Sequence, residues 1–228
     1  MKTKIVFSVF KARAETQTVL RRRILKESGE LFLDRGFVRV TADDIAGRLG
    51  ISKATLYKSF PSKEAILRAV VRGILRETGA RVEEILGDGE MGFVEKLVVL
   101  FSYVGGRISR LGTVMVRDLQ KSAPNVWQEV DDFRREKIFK NFKIILECGR
   151  KEGLFRGDID EELLRRIFSF LIEEFVSPEA VLRSGGSPAD AFESVIKVFF
   201  QGILTDRGRR NFSARTPALF EPRRESVR

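Results

Sequence analysis

Apolar residues recur with a helical period along nearly the whole of this chain. Apolar side chains three and four positions apart share one face of a helix, and such series begin at Leu20, Ile66, Leu97, Leu164 and Phe192. A sheet would need strict alternation of β-branched residues between hairpin turns, and no stretch combines these features. The sequence therefore predicts an all-α fold.

Composition limits the kinds of function that such a chain can have. A chain of 228 residues is long enough for two compact units, and no apolar run reaches the roughly 18 residues that span a bilayer. We expect no membrane partner, and a cytoplasmic location, because residues 5–10 are too short for a signal peptide. Histidine is absent and Cys148 is the single cysteine, which excludes Ser-His-Asp catalysis and Cys/His zinc sites. We therefore expect no enzyme, no cofactor and no metal.

The net charge of +10 is concentrated at the two ends of the chain. Residues 1–60 carry 13 Lys and Arg against 6 Asp and Glu, and residues 207–228 carry 7 against 2. Basic segments attract nucleic acids, although charge alone identifies no partner. Together with the apolar pattern, this predicts a basic amino-terminal arm over 1–16, a DNA-binding domain over 17–62, a larger helical domain over 63–206, and a poorly ordered Arg-rich tail over 207–228.

Residues 41–60 have the pattern of a helix-turn-helix. Thr41 and Ser52 are helix-capping residues that begin two short helices, and Gly50 lies in the turn between them. The second helix of this motif enters the major groove of DNA, and near its amino-terminal end it carries short or hydrogen-bonding groups, namely Lys53, Ala54, Thr55, Tyr57 and Lys58. Lys63, at the start of the next helix, is predicted to bind a phosphate. The alternative is an amphipathic helical hairpin that binds nothing.

The stretch from Ile24 to Leu67 resembles the DNA-binding domain of the TetR family of bacterial repressors. The matching residues are Phe32, Gly36-Phe37, Thr41, Ile45-Ala46, Leu49-Gly50-Ile51-Ser52, Thr55-Leu56-Tyr57, Phe60, Lys63-Glu64 and Leu67. The resemblance implies a homodimer with two amino-terminal DNA-binding domains and a variable helical domain that dimerises and binds a small effector.

The resemblance also implies roles for individual residues. It places Thr41 and Tyr57 on phosphates, Lys53 to Thr55 at base edges or adjacent phosphates, and Lys63 on a phosphate. Ala54 stands where glycine is frequent, and Ser59 where an aromatic residue or histidine is frequent. The DNA contacts that we expect are Thr41, Ser52, Lys53, Ala54, Thr55, Tyr57, Lys58 and Lys63.

A long helix from Ser62 to Leu86 is expected to be the only rigid connection between the DNA-binding domain and the larger domain. Two further sites are predicted in the larger domain. An apolar or amphipathic effector would be surrounded by Phe101, Tyr103, Val104, Ile108, Trp127, Phe139 and Phe142. The dimer interface would be formed by Phe168, Leu171, Phe175, Phe192, Val195, Ile196, Phe199 and Phe200. Both sets of residues could equally be internal core.

The leading hypothesis is a transcriptional repressor, a homodimer that binds an inverted-repeat operator in double-stranded DNA. A small molecule would release it by shifting the separation of the two recognition helices. The alternative is a helical ligand-binding or scaffold protein without sequence-specific DNA binding, which would bind DNA weakly and without regard to sequence.

Overall fold

The protein is all-α, as the periodicity predicts. The computed structural model describes residues 2–110, 113–176, 180 and 188–215, and no strand lies within these ranges. The helices are α1 (Lys2–Arg35), α2 (Ala42–Leu49), α3 (Lys53–Ser59), α4 (Lys63–Gly87), α5 (Phe93–Arg110), α6 (Thr113–Ser122), α7 (Pro124–Lys151), α8 (Glu161–Leu171, continued by a π-helical turn at Ile172–Val176), α9 (Pro188–Ile203) and α10 (Asp206–Arg215).

The chain folds into two compact units whose limits differ from the predicted boundary at residue 62. The first unit comprises Met1–Glu77 and Val114–Val130, and the second comprises Thr78–Thr113 and Asp131–Arg228. The chain passes between them within α4, at the first residue of α6, and within α7. The long helix α4 is therefore not the only helical connection, because α7 runs without a break from one unit into the other.

The first unit is a three-helix domain completed by residues from later in the chain. Ile24, Ile45, Leu56 and Ile66, from α1 to α4, are fully buried together. Four residues between the start of α6 and the first turn of α7 belong to the same core, namely Met115, Leu119, Ala123 and Val126. Because these residues bury apolar surface on the first three helices, the boundary of the unit cannot be read from the helix-turn-helix motif alone.

The second unit is built around phenylalanine rings. Phe142 stacks on Phe168 with ring centroids 4.4 Å apart, and Phe199 packs edge-on against Phe142 at 5.5 Å. Phe200 lies 5.1 Å from Phe101 of α5. The apolar stripe of α9 is therefore the interior of this unit, where each ring contributes both buried area and ring contacts.

Three segments differ from the sequence prediction. Helix α6 was not predicted, and α1 continues without a break into the predicted arm. The predicted disordered tail is wrong over 207–215, where α10 forms because Phe212 is buried and Thr205 Oγ1 accepts a hydrogen bond from the Gly208 N–H at 3.0 Å. The pair Gly185-Gly186 also predicts a loop over 184–188, and this stretch falls almost entirely outside the described residues.

No single described helix is both long and apolar enough to cross a bilayer, although the bent pair 93–110 and 114–122 passes that test when taken together. Nor do the described residues hold a cluster of three or more His, Cys, Asp or Glu side chains suited to a metal ion.

Candidate nucleic-acid interface

Helices α2 and α3 form the predicted helix-turn-helix, and side chains fix both of its helix starts. The Thr41 N–H and hydroxyl both donate to Asp44 Oδ2, at 2.7 and 2.5 Å, and Thr41 Oγ1 accepts from the Asp44 N–H. These bonds hold the pKa of Asp44 below its usual value. Ser52 Oγ accepts from the Thr55 N–H at 3.1 Å, and Gly50 closes α2 with a φ of 66°, which glycine adopts without strain. Hydrogen bonds and a glycine within the motif therefore determine where both helices begin and where α2 ends.

Helix α3 has a buried face and an exposed face. Leu56 and Ser59 are buried against the rest of the unit, whereas Lys53, Tyr57 and Lys58 are exposed. Ala54 is also exposed, and Thr55 is half-buried with its Oγ1 2.9 Å from Ser52 Oγ. The side chains that the sequence assigns to DNA thus lie mainly on the surface that faces away from the core.

Lys53 forms an exposed ion pair with a residue of α2. Its Nζ donates to Asp43 Oδ2 at 3.0 Å, which raises the pKa of Lys53. Both side chains are more than half exposed, and such surface ion pairs contribute little to stability. A DNA phosphate can therefore replace Asp43 at small cost.

Arg21 of α1 secures the carboxyl end of α3. Its guanidinium donates to the Ser59 carbonyl and lies 4.2 Å from the centre of the Phe60 ring. The role of Arg21 was not predicted from the sequence, although the run Arg21-Arg22-Arg23 marks the basic surface of α1. Arg21 therefore joins α1 to the end of α3 and helps to fix the orientation of α3.

Lys63 does not have the role that the sequence predicts. Its Nζ donates to the carbonyls of Phe37, Val40 and Val38 at 2.9, 2.8 and 3.5 Å, and it lies 4.3 Å from the centre of the Phe37 ring. Burial lowers the pKa of Lys63. An ammonium group has three N–H donors, and all three are directed at this turn. Lys63 therefore ties the turn between α1 and α2 to α4, and the assignment to a phosphate is corrected.

Replacing Lys63 by Met should lower the free energy of unfolding by about 1–3 kcal/mol, because the carbonyls of the turn lose a charged donor. The slope of log affinity for DNA against log salt should stay unchanged, since no phosphate contact is removed. Lys58→Met is the matched control. Lys58 is exposed on α3, so its loss should reduce the salt slope by about one unit and leave stability unchanged. The reverse pattern would restore the phosphate role of Lys63.

The same turn is also held by α6. The Val38 N–H donates to Asp118 Oδ2 at 2.8 Å. Gly36 is close to the same carboxylate, since a Cβ at this position would come within 2.6 Å of Asp118 Oδ2. Its φ is 82°. Asp118 was missed because α6 was not predicted. The turn that precedes the helix-turn-helix thus joins α1, α4 and α6.

The residues predicted to surround an effector are placed in different environments. Phe101 and Phe142 are buried in the core of the second unit, and Trp127 packs on the core of the first. Phe139 is 48% exposed, with the Arg165 guanidinium 4.5 Å from its ring centre. The other three, Tyr103, Val104 and Ile108, are partly buried against the core of the second unit. The seven residues are thus divided between the cores of the two units and the surface, and core packing accounts for Phe101, Phe142 and Trp127.

The residues predicted to form the dimer interface are mostly internal. Six of the eight are at most 8% exposed within one chain, namely Phe168, Phe192, Val195, Ile196, Phe199 and Phe200. Leu171 is partly buried against the same core, and only Phe175 is strongly exposed, at 51%. The prediction was wrong for the six because their side chains are buried in the core of the second unit of the same chain.

Helix α8 instead exposes a different apolar stripe. Leu163, Ile167 and Phe170 are spaced by four and three residues, so they share one face of the helix, and they are 49%, 40% and 62% exposed. Val198 of α9 is 70% exposed. An exposed apolar stripe of this kind is typical of a protein interface.

A helix-turn-helix on a basic amino-terminal unit, followed by a larger helical unit, defines the class of helical DNA-binding transcriptional regulators. Comparison with known proteins specifies the family. The sequence model described as "Bacterial regulatory proteins, tetR family" matches residues 24–70. The HTH-type transcriptional repressor KstR2 of Rhodococcus jostii is 31% identical over 189 residues, which cover 81% of this chain and 89% of KstR2. The chain therefore belongs to the TetR family and is a DNA-binding transcriptional regulator.

Two further relatives agree with this assignment. The HTH-type transcriptional regulator YvaF of Bacillus subtilis is 26% identical over 185 residues, covering 81% of this chain and 96% of YvaF. A regulator from Saccharomonospora viridis, solved in complex with choline, is 25% identical and has a TM-score of 0.60 over 82% of this chain and 99% of its own. The likeness to both extends well beyond the DNA-binding unit.

Proposed function

We propose that the protein is a homodimeric repressor that acts in the cytoplasm on an inverted-repeat operator and releases it when a small molecule binds. The observation that carries the proposal is the exposed face of α3, which is held in a fixed orientation by Ser52, Leu56 and Arg21. Lys53, Ala54, Thr55, Tyr57 and Lys58 would read or contact DNA there, with Ser52 and Thr41 at its edge. The similarity to the repressor KstR2 supports repression over activation.

The dimer would form through the exposed stripe of α8 together with α9. Leu163, Ile167 and Phe170 are each already about half buried, so burying the rest against a second copy would contribute on the order of 1 kcal/mol per side chain. A twofold axis would place one recognition helix in each of two major-groove half-sites roughly 34–36 Å apart. Such a dimer must bind an inverted repeat, because its two DNA-binding domains are related by the same twofold axis.

Release by an effector requires that ligand binding in the second unit alter the position of the first. Helices α4 and α7 both continue from one unit into the other, so both can transmit such a change. The coupling free energy is expected to be on the order of 1–3 kcal/mol, as in other allosteric proteins. The choline complex of the Saccharomonospora viridis regulator supports a small-molecule ligand for a protein of this kind.

Selection of bound sequences from random DNA duplexes tests the proposed function. The expected result is a single inverted repeat, bound at 150 mM salt at least 10³-fold more tightly than random DNA. Enrichment of no sequence, with weak binding that disappears as salt rises, would favour the ligand-binding or scaffold alternative instead.

A further inference from the structure

The turn between α1 and α2 is held by side chains of two later helices. Lys63 of α4 donates to the carbonyls of Phe37 and Val40 at 2.9 and 2.8 Å. Asp118 of α6 accepts a hydrogen bond from the Val38 N–H at 2.8 Å. Because these bonds are made by the backbone of the turn, they leave its outward side chains free for other contacts. The position of the turn is therefore set by hydrogen bonds to α4 and α6.

Arg39 is a basic side chain that this turn exposes. The next residue, Val40, is buried in the core of the first unit, whereas Val38 and Arg39 are exposed. Within the ranges that the structure describes, the Arg39 side chain makes no hydrogen bond or ion pair. A guanidinium has five N–H donors in a planar fork and no acceptor. Arg39 can therefore offer these donors to an anion that approaches from solvent.

Arg39 lies directly before the helix-turn-helix. It precedes Thr41 by two residues, and Thr41 is the capping residue of α2. Arg35, the last residue of α1, is also exposed. The pKa of Asp44 is lowered mainly by hydrogen bonds from Thr41 and to a smaller extent by the charge of Arg35, so Arg35 also lies near this cap. Two arginines therefore add positive charge where α2 begins.

The acidic side chains at the start of α2 already have other partners. Asp44 accepts a hydrogen bond from the Thr41 N–H at 2.7 Å, and Asp43 accepts one from Lys53 Nζ at 3.0 Å. Neither carboxylate therefore neutralises Arg39 through an ion pair. DNA carries a phosphate on every nucleotide and is the polyanion that a basic surface beside α3 would meet. The charge at this turn is thus complementary to the DNA backbone.

We propose that Arg39 binds a phosphate of the DNA backbone beside the half-site that α3 reads. Two N–H groups of the guanidinium would donate to two oxygens of one phosphate, a geometry for which arginine is suited. Arg39 would thus supply the phosphate contact that the sequence assigns to Lys63, whose donors are used by carbonyls of the same turn. Such contacts set the register of a protein on DNA and carry no base information. The assignment rests on the proposed function, since it presumes that α3 faces DNA.

Arg39→Gln tests the contact, with affinities measured for the selected operator and for random DNA over a range of salt concentrations. The slope of log affinity against log salt should fall by about one unit for each subunit. At 150 mM salt both affinities should fall by the same factor, about fivefold for each subunit, which is the contribution of one released counterion. Urea unfolding should be unchanged, because Arg39 is exposed. Arg39→Lys keeps the charge and should retain the wild-type slope.

Arg76→Gln is the matched control, because it removes the same charge from the same unit. Arg76 is exposed on α4, roughly 20 Å along the helix from Lys63. Charges are screened over about 8 Å at physiological salt, so this variant should retain the wild-type affinity and slope. The proposal would be overturned if Arg39→Gln had the same slope as Arg76→Gln, or if it changed the preferred DNA sequence and left the slope unchanged.

The same titrations separate this proposal from the proposed function. Selection of an inverted repeat by the wild type, with an unchanged salt slope in Arg39→Gln, would overturn the phosphate contact alone. A lower slope in Arg39→Gln, in a protein that selects no DNA sequence, would support the phosphate contact and overturn the proposed function.

Discussion

Replacing Phe170 by Glu is expected to give a folded monomer that binds a single operator about 10²- to 10⁴-fold more weakly than the wild type. Phe170 is 62% exposed on the apolar stripe of α8, so a charge there is solvated in the monomer. In the dimer a twofold axis would bring two such carboxylates into one apolar interface, where burial of unpaired charges is costly. Loss of the dimer removes the advantage of binding two half-sites at once.

Sedimentation velocity gives the oligomeric state, and far-ultraviolet circular dichroism verifies that the variant is folded. Phe199→Glu is the informative comparison, because Phe199 is 6% exposed and its ring lies 5.1 Å from that of Phe168. That substitution should unfold the second unit instead of merely separating two copies. A Phe170→Glu protein that remains dimeric at micromolar concentration, or a folded monomeric Phe199→Glu protein, would contradict the corrected interface.

Gly36→Ala should lower the free energy of unfolding by about 2–4 kcal/mol and weaken operator binding with it. A left-handed backbone costs a residue with a Cβ roughly 1–2 kcal/mol, and Gly36 has a φ of 82°. The new methyl group would also come within 2.6 Å of Asp118 Oδ2 and 2.8 Å of a Val114 methyl group. Overpacking of this kind adds about 1–3 kcal/mol.

Gly47→Ala provides the matched control in the same unit. Gly47 lies within α2, and a Cβ there would meet nothing within 4 Å. Alanine should therefore stabilise the protein by about 0.5–1 kcal/mol through helix propensity. Urea unfolding of both variants measures the difference directly. Equal stability of the two variants would mean that the turn before the helix-turn-helix is not constrained by α6.

The DNA-binding unit was largely predictable because its signals are local. The capping box of Thr41 and Asp44, the turn glycine Gly50 and the cap Ser52 each act within a few residues of themselves, so their spacing in the sequence determines their structure. Helix α4 was expected from Ser62 to Leu86 and extends from Lys63 to Gly87. These agreements follow from short-range hydrogen bonds.

The errors have one physical cause, which is that periodicity shows which face is buried but not what buries it. The α9 residues Phe199 and Phe200 were assigned to a partner chain, whereas α5 and α7 of the same chain cover them. Lys63 was assigned to a phosphate from its position at the start of a helix and from the family resemblance, whereas carbonyls about 25 residues earlier accept its hydrogen bonds. Contacts between distant segments of this kind leave no local pattern in the sequence.

The central claim is that two copies of the first unit, fixed by one dimer, read one inverted repeat. Insertion of five base pairs between the half-sites of the selected operator tests it most directly, because half a helical turn moves one half-site to the opposite side of the DNA. We expect affinity, measured by fluorescence anisotropy at 150 mM salt, to fall at least 10²-fold towards that of a single half-site. Insertion of ten base pairs returns both half-sites to the same side of the DNA, so it should recover part of the lost affinity. Undiminished binding after the five-base-pair insertion would show that the subunits act independently and would contradict the account.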